Sequence, residues 1–428
     1  MVDLPGLFQA GNSAQSDDNA ELVTDMVMRY AMRRRPRRKM PQRINGAFRR
    51  TPHSRKMHWS AVGEIVSIFT PEPEPELKGE ARALTWTKHK IIIVQSSRGQ
   101  PSGTPSRLNT PSQTQRQDAM VQPPVFVATH PRACSTAFER VFMTRRDVLE
   151  SQHEPFADAY YFGPEFLSNR FRDDAATRQA SPGSHQTYKS VLEDFDQVEK
   201  QGKRVFIKDM AYYFFLPDGS QPPIARSLGG GSEPGNPTVM PLETLKRFHF
   251  TFLIRHPRRS IPSFYRCTVP PLVEKTAYTP FMPCEAGYKE LVQLFDFLVR
   301  HGIVDKGRVT VVDADDLLDH PEQMIRQFCD RTGIDFEPGM LVWDEADGEH
   351  AARLFAKWNG WHDDVLDSTR LNGRSHAQKT STVESEDEEW ADMYGPEAQK
   401  LIRQVVDDNI PRYEYLKQFC MRIEGKRS

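Results

Sequence analysis

The chain has 428 residues, 38% hydrophobic and 27% charged, with a formal net charge of -1, long enough for one large core or two ordinary ones. Its mean hydropathy of -0.62, the lack of any run of about eighteen apolar residues and the lack of a basic-then-apolar leader predict a protein without a membrane span or secretory signal. Five cysteines, Cys134, Cys267, Cys284, Cys329 and Cys420, are odd in number and widely spaced, which argues against a disulfide framework or zinc knuckle and for a reduced, cytoplasmic setting.

In chain order, residues 1–60 show weak apolar periodicity beyond a short helical pattern over 20–32. Residues 33–56 hold eleven Arg or Lys and no Asp or Glu. Such a run suits nucleic acid, anionic lipid or, through 33–39, nuclear import. Without regular aromatic interleaving for base stacking, a solvated arm is the better reading, and nucleic acid is not the expected partner. PEPEPE (71–76) reads as an extended spacer, because alternating prolines block helix and central strand. KIIIV (90–94) has the character of an edge strand. Residues 95–124 are mostly Ser, Thr, Gln, Pro and Arg with little to bury, a linker. These features assign 1–121 to a basic, low-complexity, largely disordered region and 122–428 to one folded domain.

The pattern changes at Pro124. VFVAT (125–129) is a β-branched and aromatic run of the kind buried on both faces of a parallel sheet. A loop and a helical apolar pattern through Phe138, Val141, Phe142 and Val148 follow. RVFIK (204–208), FHFTFLIR (248–255) and RVTVVD (308–313) read as further buried strands. SLGGGSEPGNP (227–237) is a surface loop or a lid. VQLFDFLVRHG (292–302) is a helix stopped at Gly302, and PEQMIRQFCDRTG (321–333) is a helix started by proline and stopped by glycine. Strands alternating with helices predict an α/β three-layer sandwich around a mostly parallel sheet. ESEDEEW (384–390) reads as a solvated acidic face.

Two strand-to-helix junctions carry the chemistry. In HPRACST (130–136) the loop directs backbone N–H groups and a helix dipole at whatever lies above the strand end, which favours an anion. Arg132 adds charge, and Ser135 and Thr136 add hydroxyls or cap the helix. GxxxxGK[ST] is absent, which disfavours an ATPase or kinase. In RHPRRSIPSFY (255–265), Arg255 precedes Ser263 by eight residues after another buried strand.

With that second junction the chain resembles the 3′-phosphoadenosine-5′-phosphosulfate (PAPS)-dependent sulfotransferases, in a divergent intracellular branch of fungal type. Their first loop reads roughly YPKSGTTW, their second RNPKDVAVSYY. A later segment like YEDLLADPEAVLRRICEFLGL is matched by VDADDLLDHPEQMIRQFCDRTGI (312–334). The three motifs occur in the family's order over residues 122–335. The resemblance implies a P-loop-like fold, PAPS as co-substrate, no metal, and transfer of a sulfuryl group to a hydroxyl or amine of a small metabolite, including one of specialised metabolism. It implies that Arg132, with Ala133, Cys134, Ser135 and Thr136, holds the donor's 5′-phosphate, and that Arg255 and Ser263 hold the 3′-phosphate. Ala133 and Cys134 replace the family's Ser-Gly, a departure at the closest backbone approach. The family's KTH histidine is missing from Lys208-Asp209-Met210. Some bacterial members of the family instead use a Glu about twenty residues after the first loop, and that resemblance ranks Glu154, in HEPF (153–156), first as general base and Asp209 second. Arg374 and Lys379 are weak counterparts of the family's C-terminal phosphate segment, and KWNGWHDDVLDSTRL (357–371) is either core or acceptor-pocket lining. A catalytically impaired nucleotide-binding protein and a nucleic-acid-associated protein using 33–56 are the alternative readings. Oligomeric state is not legible in the sequence.

Overall fold

The computed structural model describes residues 122–374 and 381–423. The 33–56 arm, the 71–76 spacer, the 90–94 run and Lys379 lie outside the described residues. Five parallel strands, β1 (Val125–Thr129), β2 (Leu149–His153), β3 (Arg204–Met210), β4 (His249–Ile254) and β5 (Thr310–Asp313), are ordered β2-β3-β1-β4-β5. Val125 faces Phe206 on one side and His249 on the other.

Period-2 alternation sends successive strand residues to opposite faces, and both faces are apolar. Val125, Val127, Phe206, Leu253 and Val312 enter one core with α1 (Ser135–Phe142). Phe126, Ala128, Val205, Ile207, Phe252 and Ile254 enter the other, with α2 (Tyr188–Lys200), α3 (Pro257–Cys267) and α4 (Tyr288–Arg300). On the first face lies α5 (Pro321–Thr332), contributing Met324, Ile325 and Phe328. The helices α6 (Glu345–Phe355), α7 (Val383–Tyr394) and α8 (Pro396–Lys417) complete the domain. The four predicted strands and the three-layer sandwich are present.

Two expectations are corrected and a third is narrowed. The helix after β1 ends at Phe142, and Val148 is 43% exposed. Arg145 turns the chain there, its backbone N–H bonding to Phe142 and its carbonyl accepting from Leu149, and LESQH then forms β2. That strand has polar Glu150 and Gln152 at its half-buried positions, so its apolar signal is weak. Of the two readings of 227–237 the surface loop holds and the lid does not: all but Asn236 are exposed or half-exposed, and none lines the cavity described below. The acidic run 384–390 is not a uniformly solvated face. Glu386 is buried, because α7 packs on α8 and α3 and meets Arg258 and Arg403 there.

Strand order places the open crevice where neighbouring strands send their chains in opposite directions, here between β1 and β4. Both sequence junctions leave the carboxyl ends of those two strands.

Candidate active site

The β1 loop adopts glycine-like conformations without glycine. Arg132 and Cys134 have φ of 63° and 59°, and Cys134 is the N-cap of α1 with no side-chain cap bond. Neither Ser135 nor Thr136 caps the helix. The first N–H groups of α1 are therefore left for a ligand or solvent. Ala133 is buried in the core beneath.

The β4 loop is tied to this one by a residue given no role in the sequence reading, His130. Burial lowers its pKa to about 3, which fixes a neutral ring. Nδ1 lies 3.0 Å from Pro131 O, and Nε2 accepts the Arg255 backbone N–H at 3.0 Å. The ring stacks on Tyr288 at 3.9 Å. Arg255 in turn donates to Arg132 O at 3.0 Å, and Arg132 Nε donates to Ser263 Oγ at 3.0 Å. Arg132 Nη1 donates to Trp361 O at 2.6 Å. Arg132, Arg255 and Ser263, far apart in sequence, thus form one contact chain.

These residues line a cavity of about 570 Å³. Cys134, Ser135, Thr136 and the arginines 258, 259 and 266 also line it, together with Asp364, Glu386 and Glu389; Glu386 pairs with Arg258 and Asp364 lies 4.0 Å from Arg266. Arg255 Nε is buried with no partner, an orphan donor that a ligand anion would satisfy. The remaining wall is aromatic, from Tyr161, Tyr212, Tyr213, Tyr278, Trp358 and Trp361. The 357–371 segment therefore serves as both core and lining. Glu285 also lines the cavity and is held by Arg170 in a buried pair. Arg374 is absent from the lining and pairs with Asp315 and Asp319.

Glu154 lines the same cavity. Its φ of 48° is costly for a non-glycine residue, as strained positions at functional sites often are. Lys208 Nζ lies 2.5 Å from Oε1, and Tyr213 donates to Oε2 at 3.2 Å. Burial pushes the Glu154 carboxyl up, but Lys208 and His153 outweigh it and hold it below the ordinary range. Asp209 is elsewhere: it does not line the cavity, and its two oxygens accept the Phe156 and Met210 N–H groups at 3.0 and 2.8 Å. Both oxygens are thus committed to the backbone, and burial pushes the Asp209 carboxyl well above its ordinary pKa.

Behind Glu154 lies a buried polar cluster that sequence reasoning missed. His153 Nδ1 meets Glu139 Oε2 at 2.7 Å, and His153 Nε2 meets His362 Nε2 at 3.2 Å. His362 Nδ1 meets Thr136 Oγ1 at 3.0 Å. Adjacency of His153 to Glu154 was the one sequence signal; Glu139 and His362 gave none. His153, Glu154 and His362 each bring a ligand-type atom within 4.8 Å of the others. However, the Lys208 ammonium already sits on Glu154 Oε1, and the imidazole nitrogens are close enough to share a proton. The set fits a hydrogen-bonded cluster better than a cation site.

Residues 123–338 match the model of the sulfotransferase family. The chain belongs to that family. Residues 293–392 also match a second model, described as a sulfotransferase domain. Sulfotransferase ppzF of Metarhizium majus is 26% identical over 250 residues, 54% of this chain and 73% of that protein. Branched-chain-amino-acid aminotransferase-like protein 1 of Arabidopsis thaliana is 27% identical over 199 residues, 40% of this chain and 33% of the other. Among solved structures, the sulfotransferase domain from the curacin biosynthetic pathway is 17% identical, with a TM-score of 0.36, covering 64% of this chain and 97% of that one. No helix among the described residues is long and apolar enough to cross a membrane.

Proposed function

We propose that this sulfotransferase uses PAPS and passes its sulfuryl group to a hydroxyl or amine of a small, largely apolar metabolite, including one of specialised metabolism. The observation that carries the reading is one cavity lined at once by arginines from both junction loops, by a cluster of aromatic side chains and by Glu154. The free N-terminus of α1 and Arg132 bind the 5′-phosphate end, where charge builds on the leaving group. Arg255, with its unpartnered Nε, and Ser263 bind the 3′-phosphate. Catalysis is mostly positioning and charge stabilisation, as in phosphoryl transfer. Glu154, ionised at neutral pH and facing the acceptor, removes the acceptor proton. Lys208 and Tyr213 orient its carboxylate.

The test is transfer of radiolabelled sulfur from PAPS to a panel of phenols, alcohols and amines, with calorimetry of adenosine 3′,5′-bisphosphate alongside. Arg255→Ala is expected to weaken the bisphosphate by about 1.5–3 kcal/mol, the scale of a charge-assisted hydrogen bond. It should barely alter adenosine 5′-phosphosulfate, which lacks the 3′-phosphate. Equal loss for both would remove Arg255 from the 3′-phosphate site. Tight bisphosphate binding with no transfer to any acceptor would favour the catalytically impaired alternative.

A further inference from the structure

The buried cluster behind the donor loop runs in one line: Thr136, His362, His153, Glu139, with links of 3.0, 3.2 and 2.7 Å. Each link is short enough for one hydrogen and too short for none. Burial, reinforced by Lys208, drives both imidazoles well below their ordinary pKa, so each is neutral. A neutral imidazole has one N–H and one bare nitrogen. The links must then all point the same way, and the direction of one sets the direction of the rest.

Glu139 terminates the line and chooses that direction. As a carboxylate it can only accept. His153 then carries its hydrogen on Nδ1, His362 donates from Nε2, and bare His362 Nδ1 takes the Thr136 hydroxyl hydrogen. As a carboxylic acid Glu139 donates from Oε2 to His153 Nδ1. His153 then donates from Nε2 to His362 Nε2, and His362 donates from Nδ1 to the Thr136 oxygen. The hydroxyl hydrogen of Thr136 is released to turn into the cavity that Thr136 lines. The two states differ by one proton, carried on Glu139, and every link stays occupied in both.

We propose that Glu139, His153 and His362 are positioning residues whose hydrogen-bond direction decides whether Thr136 donates to the nucleotide donor, so that protonation of Glu139 tightens donor binding. This rests on the donor reading given above. Glu139 Oε1 has no partner, an arrangement that costs an ionised carboxylate more than a neutral acid. Burial raises the Glu139 pKa to about 7 against the opposing pull of Lys208, which brings the switch near neutrality. The groups facing Glu139 are His153 from β2, 2.7 Å away, and Lys208 from β3, 3.9 Å away. Behind them stand Glu154, paired with Lys208, His362 after α6, and Lys357, whose Nζ lies 3.4 Å from Glu154 O.

The sign follows from the proton count. As pH rises through about 7, Glu139 ionises, Thr136 turns back to His362, and donor affinity falls. Adenosine 5′-phosphosulfate is the probe, because it has no 3′-phosphate to titrate in this range. Its Kd in the wild type is expected to weaken about tenfold across the transition, the worth of one hydrogen bond to a charged group. Glu139→Gln should abolish the pH step, since the amide does not titrate in this range. Thr136→Val should hold the weak affinity throughout, and Thr136→Ser should restore the pH step. A step that survives in Thr136→Val would reduce the effect to the charge of Glu139 and overturn the chain. So would zinc bound stoichiometrically to the purified protein and lost in His362→Asn.

Nitrogen NMR of isotope-labelled histidine reads the chain without any nucleotide. His153 and His362 should exchange tautomers together as pH crosses the transition, and should not do so in Glu139→Gln. Tautomers that stay fixed would overturn the proposal. If neither nucleotide binds at any pH, the donor reading fails, while the NMR result still judges the chain.

Discussion

At Cys134 the chain holds a left-handed backbone, φ 59° and ψ 19°, a conformation that favours glycine. A side chain in this region costs about 1 kcal/mol or more, and the loop accepts it because His130, Arg255 and Ser263 fix the surrounding geometry. Cys134→Gly is therefore expected to raise stability in urea unfolding by up to about 1 kcal/mol, offset in part by lost packing of the thiol. A clear loss would mean that the side chain's packing outweighs the strain. Glu154 is strained as well, and its prediction concerns rate. Glu154→Gln should keep bisphosphate affinity while single-turnover transfer falls by roughly 10²–10⁴-fold, the usual share of general acid–base catalysis. Because Lys208 holds the carboxyl below its ordinary pKa, activity should persist through neutral pH and fall only as acid protonates Glu154. That acidic limb should vanish in the variant. Asp209→Asn is the control: it should disturb the loop at Phe156 and leave the limb in place. Retention of transfer by Glu154→Gln would remove the carboxylate from the reaction.

At the scale of elements, the helix α7 closes one side of the cavity, and beside the buried Trp390 and the Asp387–Arg403 pair its buried carboxylate, Glu386, attaches it. Glu386 meets Arg258 of α3 at 2.8 Å and Arg403 of α8 at 3.2 Å, and accepts the Ser381 hydroxyl at 2.7 Å. Glu386→Ala leaves Arg258 without its carboxylate while Arg403 keeps Asp387, so it should cost about 1–3 kcal/mol and speed hydrogen exchange in 383–394 before the sheet responds. Glu388→Ala, on the exposed side of the same helix, should do neither. The element also shows what sequence can carry. Buried parallel strands are legible because VFVAT and FHFTFLI are apolar on both faces, and the two junction loops are legible because they follow such strands. β2 was missed because alternate positions are polar, and Glu386 because one buried acid among exposed or half-exposed polar neighbours has no local signature. Glu139, His153 and His362 come from α1, β2 and the segment after α6. Only the closed fold makes them neighbours.

At the scale of the molecule, the domain's start is set by how the first described residues are held. Pro123 O accepts Arg204 Nε at 2.7 Å, and Pro124 O accepts the His249 N–H at 2.8 Å, so the chain joins the sheet just before β1. The β5 edge is already met by the C-terminal segment, where Met421 N–H donates to Val311 O at 2.9 Å. That leaves the outer edge of β2, among the described strands, as the place where an added strand such as KIIIV (90–94) would pair. Residues 1–121 lack the apolar periodicity of an independent core. A chain beginning at Met120 keeps both anchoring carbonyls and is expected to remain soluble, with unchanged Tm and unchanged affinity for adenosine 3′,5′-bisphosphate. A strand pairing along β2 would cover polar backbone groups and apolar side chains, so its loss should lower Tm by several degrees in a domain of this size. A drop of that size, restored when the chain begins before residue 90, would move the domain boundary to include the KIIIV strand.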